Sequence, residues 1–412
     1  MPSATHTITG GDTATVTVTV GGVDSNDVLY DSAGIDSLTG GIGDDVYYVS
    51  NTGDVVTEAA GAGFDTVAAS VDYMLPASNT VEVINMLGAG LTGTGSNGAE
   101  TLISSSGPNT LIGLGGNDVY YVNSAGDVVI EDASGGIDTV QATVSYTLSA
   151  GNTVQALYML GSGLTGIGSN GAETLLSSGG PNTLEGLGGD DLYYVNNAAD
   201  VVIEVPGGGV DTVLASVDYT MPADAEALYM MGSGLTGTGT NNADSLLSSG
   251  GPNTLEGLGG DDLYYVNNAA DVVVEAANGG FDSVMASLSF ALPANVEALY
   301  LTGSGLTGAG NGDANTLVTV GANTLTGNDG NDTFVFFAGS ANGVTVTDFN
   351  RDQVNEWDFL VFSGFGTEAQ GATFTQIGST DQWRIHSGLD FQDDTITLSN
   401  HAVVHAGDFV FV

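Results

Sequence analysis

The apolar residues of this chain fall into short Val, Leu and Tyr clusters, separated by turns rich in Gly, Asp and Asn. The stretch from Gly40 to Tyr48, GGIGDDVYY, shows the unit. Its glycines permit a turn at positive φ and close backbone approach. Its apolar eighth residue starts a short strand whose alternate side chains enter a core. The adjacent tyrosines of the YYV signature should therefore face opposite sides of a sheet, one inward and one outward. The outward tyrosines are expected to form a ladder along the sheet. The signature recurs at Tyr47, Tyr120, Tyr193 and Tyr264, and as FVF at Phe334, with spacings of 73, 73, 71 and 70 residues. A long period built on a short one marks a solenoid.

Frames of nine residues run from Gly22 as GVDSNDVLY, DSAGIDSLT, GGIGDDVYY and VSNTGDVVT without a gap. Their sixth residues are Asp27, Asp36, Asp45 and Asp54; after two extra residues AGAGFDTVA places Asp65 sixth. The later units keep this register with substitutions. The second gives Glu100, Asn109, Asp118, Asp127 and Asp138; the third gives Glu173, Asn182, Asp191, Asp200 and Asp211. The fourth gives Asp244, Asn253, Asp262, Asp271 and Asp282, and the last repeat holds Asn323 and Asp332. Between units lies a different segment, such as VAASVDYMLPASNTVEVINMLGAGLTGTG, which has strand-like apolar residues but no Asp in this register.

The frames fit the pattern G-G-x-G-x-D-x-U-x, and on them the chain resembles the RTX (repeats-in-toxin) calcium-binding family. The resemblance implies an all-β fold, a parallel β-roll or β-helix solenoid, with Ca²⁺ as cofactor. It also implies metal ligands at the sixth residues named above and at turn glycines Gly40, Gly41, Gly43, Gly116, Gly189, Gly260 and Gly330. A coil takes two frames, so Asp27, Asp45 and Asp65 should line one edge and Asp36 and Asp54 the other. Asn lacks a charge, so edges holding Asn should bind calcium more weakly or bind none. Leu replaces the second Gly of the motif at Leu114, Leu187 and Leu258. From Phe337 the register ends. The tail, with VTVTDFNRDQVNEWDFLVFSGFG, DDTITLSN and DFVFV, resembles the C-terminal segment of RTX proteins exported by type I secretion. Three regions follow: an N-terminal strand or cap (1–21), about five repeat units (22–336) and a β-rich C-terminal cap with the export signal (337–412).

Composition narrows the function. The chain has 412 residues, 64 Gly, no Cys, no Lys and two Arg, with a formal net charge of −47. That balance excludes nucleic acid, which needs cations at its phosphates, and opposes docking on an anionic bilayer. A hydrophobic content of 42% separates the chain from disordered acidic polymers. Stacked carboxylates would repel, so much of the acidity reads as metal ligand. The N-terminus lacks the basic and apolar regions of a Sec signal peptide, and no apolar run is long enough to span a bilayer.

Other motifs are decoys. GSGLTG, as at Gly161, Gly163 and Gly166, matches a dinucleotide fingerprint, but a strand rather than a helix should follow it. Asp348, Asn350 and Asp352 imitate the start of an EF-hand loop, with Gln353 and Phe359 at the wrong positions. No H-E-x-x-H and no G-x-S-x-G occurs, and His6, His386, His401 and His405 read as ordinary histidines. Repeats and tail leave no separate stretch for a catalytic domain. The expected function is therefore a secreted, calcium-dependent structural protein of a Gram-negative bacterium. It would self-associate as an S-layer, filament or matrix subunit. The alternatives are an adhesin or rod that binds surface glycan, or an enzyme acting on polysaccharide. From Thr13 to Val20 the chain alternates Thr and Val with one early Ala, a strand that either caps the first coil or pairs with a neighbouring molecule.

Overall fold

No cluster of three or four apolar residues can bury itself alone, so each becomes a short strand that stacks on the equivalent strand of the next coil. The computed structural model describes residues 18–22, 25–58, 60–77, 80–132, 135–149, 151, 153–349, 357–390 and 392–412. It divides into two units, Met1–Asp211 and Thr212–Val412. Each is a parallel β-solenoid.

In the first unit one wall is a continuous parallel stack that begins with Val28–Tyr30, Val46–Val49, Thr66–Ala69 and Val83–Met86. It continues strand on strand to Leu192–Val195. Among the described residues the opposite wall forms three shorter stacks, which include Asp36–Thr39, Thr110–Ile112 and Thr183–Glu185. Registers are in step: Leu29 pairs with Tyr47, and Tyr47 with Val67. These inward residues, with Ile84, Leu102 and Tyr120, form a buried column down the coils.

The second unit repeats this plan. Parallel stacking extends beyond residue 336, since Thr333–Phe337 pairs with Phe359–Ser363 and that strand pairs with Phe409–Phe411. The other wall ends in antiparallel strands Thr373–Gln376, Gln382–His386 and Asp393–Leu398, the last pairing in parallel with Thr345–Val346. Aromatic rings fill this end: Phe362 lies 4.8 Å from Phe374, and Phe374 stacks on Trp383 at 4.9 Å between centroids.

Of the strand expected at Thr13–Val20, residues 13–17 lie outside the described residues; Val18–Gly21 is a strand and pairs in parallel with Asp36–Thr39 of the next coil of the same chain. The glycine fingerprint is a turn, with Gly163 at φ 72° followed directly by strand Thr165–Ile167. The continuous outer tyrosine ladder is corrected. Tyr30 and Tyr48 stack at 4.7 Å and 7°, but Tyr121, Tyr158 and Tyr194 are separated in their column by Gln141 and Leu176. The tyrosines recur by unit, whereas strands stack by coil.

Leu114, Leu187 and Leu258 adopt φ of 76°, 77° and 78°. They keep the left-handed turn that Gly41 makes at φ 105°, so the loop path overrides the cost of a Cβ there, about 1–2 kcal/mol. Leu187→Gly should therefore raise the denaturation midpoint in saturating calcium, by about 0.5–1 kcal/mol after allowing for the greater freedom of unfolded glycine. An unchanged or lowered midpoint would mean that the leucine's contacts outweigh its strain.

Candidate metal centre

The sixth residues stand in columns at the solenoid edges, tied to the backbone of the coil before them. Asp45 Oδ1 accepts the N–H of Asp27 at 2.7 Å, and Asp65 Oδ1 that of Asp45 at 2.8 Å. Asp118 and Asp138 accept from Glu100 and Asp118, and Asp191 and Asp211 from Glu173 and Asp191. In the second unit Asp262 and Asp282 accept from Asp244 and Asp262, and Asp332 accepts from Asn315. On the opposite edge Asp54 accepts from Asp36, Asp127 from Asn109, Asp200 from Asn182 and Asp271 from Asn253, at 2.8–2.9 Å. The intervening segment, expected to lack a ligand in register, continues the first column with longer side chains. Glu82 Oε2 accepts from Asp65 at 2.7 Å, Gln155 from Asp138 and Glu297 from Asp282.

With Oδ1 committed to the backbone, the second oxygen decides the chemistry. Oδ2 of Asp45, Asp65, Asp118, Asp138, Asp191, Asp262 and Asp282 is buried and accepts no hydrogen bond. A third carboxylate joins each pair. Asp45, Glu58 and Asp65 bring ligand oxygens within 4.8 Å of one another, as do Asp118, Glu131 and Asp138. Asp191, Glu204 and Asp211 do the same, as do Asp262, Glu275 and Asp282. The inward tyrosine of each YYV signature donates its phenol O–H to that glutamate: Tyr47 to Glu58, Tyr120 to Glu131, Tyr193 to Glu204 and Tyr264 to Glu275. Gly40 N–H donates to the Tyr47 hydroxyl at 2.7 Å and to Glu58 Oε1 at 3.0 Å. A Cβ on Gly40 would overlap Asp45 Oδ2 and that hydroxyl, so the site itself demands the glycine. Gly41, Gly43, Gly116, Gly189, Gly260 and Gly330 all turn at positive φ.

The four glutamates escape a reading confined to sixth positions. The signal was present: Asp-Val-Val-x-Glu recurs at 54–58, 127–131, 200–204 and 271–275, its glutamate always the first of the two extra residues. Other sixth-position residues are placed differently. Glu100, Glu173 and Asp244 fold back onto the N–H and hydroxyl of Ser96, Ser169 and Thr240. Asn323 Oδ1 accepts the Leu306 N–H at 2.7 Å. Near the EF-hand look-alike, Asp348 accepts from Gly327 at 2.9 Å and Asn328 at 2.8 Å, while residues 350–352 lie outside the described residues. His386, His401 and His405 each meet one carboxylate, those of Asp393, Asp381 and Asp408.

Burial and mutual repulsion raise several of the aspartate carboxyls. Burial first, then neighbouring carboxylates, pushes Asp118, Asp191 and Asp262 up to about 8. Asp65 and Asp282 rise to about 6, again chiefly through burial. Burial, then the paired glutamate, pushes the phenols of Tyr120, Tyr193 and Tyr264 upward as well. Three carboxylates, a buried oxygen without a donor and no lysine in the sequence fit a hard cation held by oxygen. Bound there, calcium would supply the neutralising charge, with the two aspartates and the glutamate of each triad as its holders.

These features define a calcium-binding parallel β-solenoid. The family described as the RTX calcium-binding nonapeptide repeat (4 copies) matches residues 21–56, 94–129, 167–202, 238–273 and 309–336. The repeats of this chain belong to that family, and the solenoid they build is an RTX β-roll. Two curated relatives, both from Rhizobium meliloti (strain 1021), are similar over shorter stretches. Endo-1,3-1,4-beta-glycanase ExsH is 40% identical over 96 residues, 23% of this chain and 20% of its own length. Endo-1,3-1,4-beta-glycanase EglC is 32% identical over 115 residues, 27% of this chain and 24% of its own. The chain thus spans less than a quarter of either relative.

The raised carboxyls fix a pH dependence for the ion-free protein. Their folded-state values lie above the unfolded value near 4, so the unfolded state binds fewer protons than the folded one in between. Their contribution to stability is full below pH about 4 and is lost as pH rises towards about 8. In excess chelator, the β circular dichroism signal should therefore be strongest in acid and fall between pH 4 and 8, whereas saturating calcium should flatten the profile. A chelated protein more stable at pH 8 than at pH 5 would contradict the site.

Proposed function

We propose that this is a secreted structural protein whose roll forms when calcium enters the four carboxylate triads, and that the folded roll self-associates. The observation that carries the reading is the triad, present once in each of four repeat units, with buried oxygens that lack a donor. Where cytosolic calcium is low, the triads repel and the chain stays extended, which suits export by type I machinery. Outside a Gram-negative cell, ions bridge successive coils, so binding free energy becomes folding free energy. No helix among the described residues is long and apolar enough to cross a membrane.

Self-association rests on strand edges. Among the described residues, Val28–Tyr30 pairs on one side only and leaves Val28 and Tyr30 56% and 63% exposed. Phe409–Phe411 likewise pairs on one side. Unpaired parallel edges recruit further strands, and an end-to-end contact between copies is heterologous and builds filaments or lattices rather than closed dimers. The glycanase names of the two relatives favour a second reading, a rod that binds polysaccharide.

Calcium titration of the purified chain, followed by circular dichroism, light scattering and electron microscopy, tests the proposal. Folding should precede assembly, and deletion of residues 1–21 should leave folding intact but abolish large assemblies. Strong β signal in excess chelator at neutral pH would overturn calcium-driven folding. Equal assembly by the truncated chain would make the N-terminal strand a cap. A screen that found tight polysaccharide binding by a monodisperse roll would favour the second reading. At single sites, Asp45→Ala should weaken the calcium midpoint on the order of tenfold, whereas Asn182→Ala should change it less. Equal effects would reject the ligand assignment.

A further inference from the structure

The edge opposite the triads is built from different chemistry. In the third repeat unit, Asn182 Oδ1 accepts the Leu164 N–H at 2.9 Å. Its amide nitrogen donates to Gly161 O and to Ser177 Oγ, both at 3.0 Å. The Ser177 hydroxyl donates to Asp200 Oδ1 at 2.8 Å, the same oxygen that accepts the Asn182 backbone N–H. Asp200 Oδ2 accepts the N–H groups of Asn196 and Asn197 at 3.2 and 3.0 Å. Both oxygens of this carboxylate are therefore in use, and so are both ends of the amide.

The second and fourth units repeat the chain of bonds. Asn109, Ser104 and Asp127 are joined at 3.0 and 2.8 Å, and Asn253, Ser248 and Asp271 at 3.0 and 2.7 Å. All nine residues are buried. The first unit differs at each neutral position. Asp31 stands where Ser stands later and Asp36 where Asn stands, facing Asp54. Burial and then Asp31 push the Asp54 carboxyl up to about 6. Ser and Asn together thus remove two formal charges and add donors aimed at the remaining carboxylate. That is the work a cation would otherwise do at this edge.

We infer that the Asn–Ser–Asp edges of the second, third and fourth units take no calcium, and that a fixed hydrogen-bond relay replaces the ion there. Asn109, Asn182, Asn253, Asp127, Asp200 and Asp271 are then structural residues rather than the ligands that the repeat register implies. The roll is asymmetric, with calcium on the triad edge and a permanently closed polar edge across from it. This rests on the reading of the triads as calcium sites.

Bound calcium per full-length chain, counted by equilibrium dialysis at saturation, tests both. Asp191→Asn should lose one ion. Asp200→Asn and Ser177→Ala should keep the wild-type number. Loss of an ion from Asp200→Asn would overturn the inference, whereas no loss from Asp191→Asn would overturn the triad reading instead. Should Asp200→Asn fail to fold, anomalous diffraction from calcium in wild-type crystals decides. A peak between Asn182 and Asp200 rejects the relay, and peaks confined to the triad edge support it.

Discussion

One contact organises the rest of the structure: a carboxylate oxygen of one coil accepting the backbone N–H of the sixth residue in the coil before. It recurs at 2.7–2.9 Å from Asp45 to Asp282. Because donor and acceptor lie one coil apart, the contact holds the rise and register of the stack at the turns, beside backbone bonds such as that from the Thr66 N–H to the Asp45 carbonyl at 2.8 Å. It also forces the turns close together, which only glycine tolerates at Gly40. Stacking the strands then follows, since turns held in step bring Leu29, Tyr47 and Val67 into one buried column.

The same contact creates the electrostatic problem. An aspartate that spends one oxygen on the backbone carries the other into the interior. Where such aspartates meet a glutamate, the second oxygens of Asp45, Asp65, Asp118, Asp138, Asp191, Asp262 and Asp282 accept no hydrogen bond, and the phenol of the adjacent tyrosine donates to the glutamate instead. Proton or metal must supply the missing charge, so the fold couples to both. On the opposite edge the identical backbone contact is kept, but Asn and Ser absorb the charge locally. One scaffold contact thus serves two edges with opposite demands for a cation.

The fold was legible because the repeat is strict: the sixth-residue register and the inward tyrosines needed only counting in nines and twos. The triads were half legible. Their aspartates belong to the motif, but Glu58, Glu131, Glu204 and Glu275 occupy the first position of the lengthened turn, where the motif has glycine. Glu82 and Gln155 were hidden in the same way, since a longer side chain can reach the column from a segment with no aspartate in register. The leucines at φ near 77° could not be read as turns in the left-handed region, because propensity opposes them and only the stacked loops impose it. The tyrosine ladder failed for a geometric reason: residues separated by a whole unit are four strands apart.

The tyrosine–glutamate bond has a spectroscopic consequence. Tyr47, Tyr120, Tyr193 and Tyr264 place near-identical phenols in the four triads, while both tryptophans, Trp357 and Trp383, lie in the tail. A carboxylate hydrogen-bonded to a phenol quenches its fluorescence, and drawing that carboxylate towards another charge relieves the quenching. The protein therefore carries an intrinsic optical gauge of triad occupancy, one phenol per triad, with no dye to attach. Each gauge can be silenced alone by a single Tyr→Phe exchange, a replacement the last repeat already makes at Phe334.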